Sequence, residues 1–303
     1  MKFSSTILAY FAAQAVAGPM APIEDVTADI TFVPREPRAA LRKTGLNILQ
    51  SDNGADPAAS LYNKTTRAVD VEEDIVGDLV EDMDELEKRA ARNVAYSSNW
   101  AGAVLNGNNF KTAQATIKVP NPAMPRGGKA STQYAASVWV GIDGSSCQRA
   151  ILQTGIDVYF QNGKASFDAW YEWYPDYAYT FQGFAIRAGD TLTITVSASS
   201  NKAGFVTIQN LTTRKQITHN FANQRATLCL QNAEFIVEDF QSGGSLVPFV
   251  NFGQVAFSNA VVRNNKNQVQ SLAGASILNM RQNNKVVANC GASSNLVSCK
   301  YTG

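Results

Sequence analysis

The chain has 303 residues, with 26 Lys+Arg, 25 Asp+Glu and a single histidine, for a net charge of +1. One histidine excludes HExxH and multi-histidine zinc sites, and any His-dependent triad would have to use His219. The near-zero charge is a sum of opposites: residues 18–89 hold 16 acids and 8 bases, and residues 90–303 hold 9 acids and 17 bases. The bases of the second part are scattered, which argues against a nucleic-acid partner.

Residues 1–17 combine Lys2, an apolar run from Ile7 to Ala13 and the small-residue end Ala15-Val16-Ala17. That is the pattern of a secretory signal. The run is too short to span a bilayer and no later stretch is long and apolar enough, so a secreted protein with no membrane association is expected. Residues 18–67 are rich in Pro, Ala and charge and show no period. Over 68–92, Val71, Ile75, Val76, Leu79, Val80, Met83 and Leu86 recur at helical spacing with acids between them, which predicts an acidic amphipathic helix. It ends at Lys88-Arg89, a dibasic pair lying where charge and pattern both change. Processing there would separate an acidic propeptide, 18–89, from a body, 90–303. Cys147, Cys229, Cys290 and Cys299 form no CxxC pair, and an even number of widely spaced cysteines suits two disulfides in a secreted chain.

After residue 96 helical periods vanish, and Gly, Asn, Ser and Thr punctuate short alternating runs. Residues 190–199 alternate strictly, with Leu192, Ile194, Val196 and Ala198 on one face. Residues 205–219 read as a hairpin, with His219 an exposed or hydrogen-bonded strand residue. Many short antiparallel strands in about 200 residues predict a single all-β sandwich or barrel. Alternation then sorts side chains by face. Val138, Val140 and Ile142 oppose Trp139, Gly141 and Asp143. Leu152, Ile156 and Val158 oppose Gln153, Gly155, Asp157 and Tyr159. Phe167, Ala169, Tyr171 and Trp173 oppose Asp168, Trp170, Glu172 and Tyr174. Ala233, Phe235, Val237 and Asp239 oppose Glu234, Ile236, Glu238 and Phe240. Faces that mix Trp and Tyr with carboxylates and an amide look like a substrate groove. A carboxylate buried on such a face would hold its proton more tightly, poised for proton transfer.

Those same segments carry a resemblance. VWVGIDG (138–144), Cys147, AILQTGID (150–157), DAWYEWYP (168–175), AEFIVEDF (233–240) and VPF (247–249) follow one another as in the glutamic peptidases, or eqolisins. The match runs from Ser98-Asn99-Trp100 to the last cysteine pair. It implies a secreted, acid-acting endopeptidase made as a preproprotein, with two curved antiparallel sheets packed as a lectin-like sandwich after a partly helical propeptide. Carried over by position, Gln153 and Glu238 are the catalytic pair. Trp139, Asp143, Asp157, Asp168, Trp170 and Glu172 take supporting or groove positions, and the disulfides pair Cys147 with Cys229 and Cys290 with Cys299.

The implied chemistry is general acid–base hydrolysis by a water held between Glu238 and Gln153, with no cofactor and no metal. An amide suits acid because it offers a donor and an acceptor at any pH, whereas histidine would be fully protonated. The expected partners are protein or peptide substrates and the chain's own propeptide, acting as an intramolecular inhibitor on a monomeric enzyme. Attraction between the −8 segment and the +8 body, through residues 68–87, would hold it in place at neutral pH. Two other readings share the groove: a glycoside hydrolase using Glu172 with Glu238, and a lectin-like module stacking sugars on Trp139, Trp170 and Tyr174. Neither a D-T-G/D-S-G nor a G-x-S-x-G motif occurs. Asn63-Lys-Thr and Asn210-Leu-Thr are glycosylation sequons, the second at a hairpin where occupancy is plausible.

Overall fold

The computed structural model describes residues 22–26, 32–34, 48–49 and 94–303. The expected signal, the amphipathic stretch over 68–92, Lys88-Arg89 and the Asn63 sequon lie outside the described residues. In chain order the strands are β1 (Glu24–Asp25), β2 (Phe32–Pro34), β3 (Ile48–Leu49), β4 (Val94–Ser97), β5 (Trp100–Asn106), β6 (Phe110–Lys118), β7 (Tyr134–Ile142), β8 (Ile151–Gln161), β9 (Lys164–Tyr174), β10 (Tyr179–Phe181) and β11 (Thr191–Ser200). They continue with β12 (Ala203–Asn210), β13 (Lys215–Phe221), β14 (Asn232–Glu238), β15 (Gln241–Ser242), β16 (Ser245–Leu246), β17 (Gln254–Asn264), β18 (Val269–Gln270), β19 (Ser276–Gln282), β20 (Lys285–Ala292) and β21 (Val297–Tyr301). Among the described residues the helical structure is one turn, Leu272–Gly274.

Strand pairing joins 19 of these into one mixed network, with β15 and β16 as a separate hairpin. One ladder runs β17, β6, β11, β12, β13. A second runs β10, β9, β8, β7, β14, β5, β19. β17 belongs to both, because Val261–Arg263 pair with β6 whereas Gln254–Phe257 pair with β21. β11 and β12 lie against β7 and β8. The aliphatic faces of all four enter one core, with Val138, Val140, Leu152, Ile156, Leu192, Ile194, Val206 and Ile208 fully buried. The alternation of β11 is the simplest case: Leu192, Ile194 and Val196 point in. The intervening Thr193 and Ser197 hydroxyls meet Thr116 and Thr112 across the strand at 3.2 and 3.1 Å. Period-2 sequence therefore fixes which face is core, and a one-residue slip would reverse it.

Two disulfides fasten the network. Cys147–Cys229 ties the loop after β7 to the segment before β14, closing 82 residues. Cys290–Cys299 joins directly opposed residues of β20 and β21. His219 is half-buried on β13, and its ring stacks on Tyr171 at 3.9 Å.

The hairpin over 205–219 forms as expected, but it places Asn210 inside. Asn210 is buried. Its Nδ2 donates to Asp190 Oδ2 at 2.8 Å, and its Oδ1 accepts the N–H groups of Thr212 and Thr213. The amide that would carry a glycan is thus buried and takes part in building the turn. The expected outcome is that the tryptic peptide spanning residues 203–214 carries unmodified Asn210 when the protein is analysed by mass spectrometry. A glycan on that peptide would contradict the placement.

Candidate active site

Three cross-strand rows on the far side of the second ladder bring the candidate residues together. Glu234, Gly141, Gln153 and Glu172 are successive partners across β14, β7, β8 and β9. Ile236, Trp139, Gly155 and Trp170 form the next row, and Glu238, Ser137, Asp157 and Asp168 the one after. Side chains two apart share a face, so Gln153, Glu238, Trp139, Asp157, Asp168, Trp170 and Glu172 all rise from one surface. Their neighbours Val138, Val140, Leu152, Ile156, Phe235 and Val237 face the core behind it. Gln153 is 0% exposed and Glu238 1%.

Trp139 organises this surface. Its Nε1 donates to Glu238 Oε2 at 2.9 Å. Its ring meets Trp100 edge-on, with centroids 4.9 Å apart. Its far edge covers Gly141, where an added Cβ would sit 2.8 Å from Cζ3. One indole therefore bridges the Glu238 row and the Gln153 row. Gln153 is itself oriented: Nε2 donates to Glu172 Oε2 at 2.8 Å, while Oε1 is a buried acceptor with no hydrogen-bond partner. Asp157 accepts Ser137 Oγ at 2.9 Å and Tyr159 OH at 2.8 Å. Asp168 is half-buried at the outer end of its row.

Asp143 has a different place. It follows β7 in a left-handed turn, φ 66°. Its two oxygens accept the backbone N–H groups of Cys229, Leu230, Gln231 and Asn232. It pins the segment that enters β14 and so sets the position of that strand. Asp143 lies within 4.8 Å of the sulfurs of Cys147 and Cys229. Those sulfurs are bonded to each other, and the carboxylate is filled by N–H donors, so this cluster is structural and unsuited to a cation.

Sequence reasoning placed Tyr159 and Glu234 on these faces without giving either a role, and it left out Ser137, which lies on the same face by alternation. Trp100 had no signal of its own, because its contact with Trp139 crosses from β5. Gln282 comes from β19 and donates to Asp239 Oδ2 at 2.7 Å, which no local pattern encodes.

The electrostatics are lopsided. Of the nine acids after residue 90, seven are buried: Asp143, Asp157, Glu172, Asp190, Glu234, Glu238 and Asp239. Among the described residues no Lys, Arg or His is buried with them. Burial pushes the Glu234 carboxyl well up, and the charge of Asp143 adds to the effect. Neither Glu234 oxygen makes a full hydrogen bond, although the Ser145 N–H offsets part of the penalty. Burial likewise raises Asp239 to about 7, against the Gln282 hydrogen bond and with help from Glu238. Asp143 is raised by burial despite its four N–H donors. His219 moves the other way, lowered by burial to about 4.

Comparison with known proteins gives the family. The model of the Peptidase A4 family matches residues 98–301. Aspergillopepsin-2 of Aspergillus niger is 41% identical over 235 residues, covering 73% of this chain and 83% of that protein. Scytalidopepsin B of Scytalidium lignicola is 42% identical over 219 residues, covering 70% and 80%. The crystal structure of scytalido-glutamic peptidase with a transition state analog inhibitor superposes with a TM-score of 0.62 at 41% identity, covering 68% of this chain and 98% of that one. The chain belongs to the Peptidase A4 family, the eqolisins, and is a glutamic endopeptidase.

Two outcomes follow from the buried acids and from Gly141. Folded Asp239 keeps its proton up to about pH 7, whereas an unfolded Asp loses it near pH 4. The native state thus binds more protons in that window, and stability must fall as pH rises through it. Asp239→Asn is expected to remove that part of the loss, at most roughly 4 kcal/mol, in urea unfolding compared at the two ends of the window. His219 contributes an opposite slope between about 4 and its ordinary 6.5, so the comparison is between variant and wild type. Gly141→Ala should displace the Trp139 ring, costing about 1–3 kcal/mol and altering the near-ultraviolet circular dichroism. An unchanged aromatic spectrum would refute that packing.

Proposed function

We propose that this chain is a secreted acid endopeptidase, made as a preproenzyme, in which Gln153 and Glu238 activate a water. The observation that carries this reading is the paired orientation on one buried face: Trp139 holds Glu238 by Oε2, and Glu172 holds Gln153 by Nε2. The water enters with the substrate, its hydrogens directed to Glu238 Oε1 and Gln153 Oε1. Glu238 takes one proton as the water oxygen bonds to the scissile carbonyl carbon. The second N–H of the Gln153 amide donates to the developing oxyanion. Glu238 then delivers its proton to the peptide nitrogen, the C–N bond breaks, and the carboxylate is regenerated. No covalent enzyme intermediate is formed. Glu172 keeps the amide from flipping, and Asp157, Asp168 and Trp170 line the substrate's path.

The remaining parts of the reading have their own support. The two ladders, packed through one core, are read as the two curved sheets of a sandwich. Ala15-Val16-Ala17 supports removal of a signal, and both disulfides suit an oxidising compartment. Lys88-Arg89 lies between the N-terminal strands and β4, where a cut would separate an inhibitory propeptide from a monomeric body of residues 90–303. The substrates are proteins and peptides in acid. The glycoside hydrolase reading loses ground here, because Glu172 is engaged by Gln153.

The test is a set of variants assayed on a denatured protein at acid pH. Gln153→Ala and Glu238→Ala should each lower kcat by about 10³-fold or more, with KM little changed and the circular dichroism of the fold retained. A Gln153→Ala enzyme that cuts as well as wild type would remove the amide from the mechanism.

A further inference from the structure

Three described pieces of the N-terminal region pair with three outer strands of the body. β1 runs parallel along β13, the last strand of the first ladder. β2 runs antiparallel along β10, the last strand of the second. β3 runs antiparallel along β4, which flanks β19. An open outer strand presents a row of unpaired N–H and C=O groups and invites another strand to add. Here each addition comes from the chain's own front end.

The contact at β13 is the most detailed. Glu24 N–H donates to Arg214 O at 2.7 Å, and Val26 N–H donates to Gln216 O at 2.9 Å. Gln216 Nε2 donates to Asp25 Oδ2 at 3.0 Å. Lys215 Nζ lies 3.9 Å from Glu24 Oε2, an exposed pair that adds little by itself. Val26 packs against the main core. Backbone pairing and one apolar anchor therefore hold this piece more than charge does.

The contact at β10 reaches the active face. Tyr179 and Thr180 of β10 pair with Tyr171 and Trp170 of β9. Ala178, immediately before β10, is fully buried in the same cluster as Trp100, Trp139 and Trp170. β10 thus carries the connection that packs onto the Trp139 surface, and β2 lies on its other side. The near-zero exposure of Gln153 and Glu238 fits a surface held shut.

We propose that residues 22–26, 32–34 and 48–49 act as a strap: they add one strand to each outer edge and keep β10 and the connection before it closed over Trp139 and Trp170. The inference rests on the precursor reading and deepens it. A cut at Lys88-Arg89 leaves the strap joined to the body by strand pairing alone. Its departure uncovers β10 and β13 and frees the connection over the site. Latency then depends on backbone pairing by residues that precede the acidic stretch 68–87, and only weakly on that stretch's charge.

Hydrogen exchange of the full-length precursor and of the naturally processed enzyme tests this without needing catalysis. Amides of residues 179–181 and 215–217 are expected to exchange about tenfold faster, or more, after processing, with β7, β8 and β14 unchanged. Val26→Pro deletes the N–H that bonds to Gln216 O. In the precursor it should speed exchange at 215–217 and shorten the lag before activity, whereas Val26→Ala, which keeps the N–H and trims only the apolar anchor, should change both less. Equal exchange at 179–181 and 215–217 before and after processing would overturn the strap. Faster exchange combined with a fully active Gln153→Ala enzyme would leave the strap standing and sink the dyad. Unchanged exchange with an inactive Gln153→Ala enzyme would do the reverse.

Discussion

Carboxyl groups buried without a buried cation set the terms for the rest of the molecule. A buried carboxylate is expensive unless it is paired, hydrogen-bonded or protonated. Here no Lys, Arg or His is buried among the described residues, so two devices remain. Asp143 and Asp157 use dense hydrogen bonding, from backbone N–H groups in one case and from Ser137 and Tyr159 in the other. Glu234 and Asp239 rely on protons, as their raised values indicate. Acid is then the solvent in which this interior is least costly, which fits the acid-acting enzyme proposed above. The basic surface follows from the same division: the acids are inside and the bases outside.

Orientation on that face depends on small residues as much as on polar ones. Gly141 and Gly155 flank Trp139 on β7 and β8, and neither has room for a Cβ: at Gly141 it would meet the indole, at Gly155 the Val138 carbonyl and the base of the Trp139 side chain. The ring can therefore reach across two rows, meeting Glu238 with its N–H and covering Gly141 with its opposite edge. Glu172 does the corresponding work for Gln153. Asp143 acts at longer range, through the four N–H groups that lead into β14 and so fix where Glu234 and Glu238 come to rest. The Cys147–Cys229 bond fastens the same two segments covalently.

Much of this was legible in the sequence because strands report their faces every second residue. The core positions of β7, β8 and β14 and the shared surface of Gln153, Glu172 and Glu238 follow from alternation plus register. The opposite aromatic face of β9 was harder to read. Tyr171 and Trp173 proved to be core, with Tyr171 stacked on His219. The Asn210 sequon says nothing of where the side chain points, and here its oxygen caps its own turn. Glu234 and Asp239 differ from their neighbours only through three-dimensional surroundings: burial raises both, with Asp143 adding to it for one and Gln282 of β19 opposing it for the other. The pairing of β1 with β13 joins residues 191 positions apart. No local pattern in a two-residue strand announces its partner.

The central claim is that protons, and not bases, neutralise the deepest acids beside the proposed catalytic pair. Infrared difference spectroscopy of wild type against Glu234→Gln at about pH 6, well above the ordinary glutamate value, addresses it most directly. The account predicts a protonated-carboxyl stretch in wild type that the variant lacks. A carboxylate band for Glu234 at that pH would contradict it.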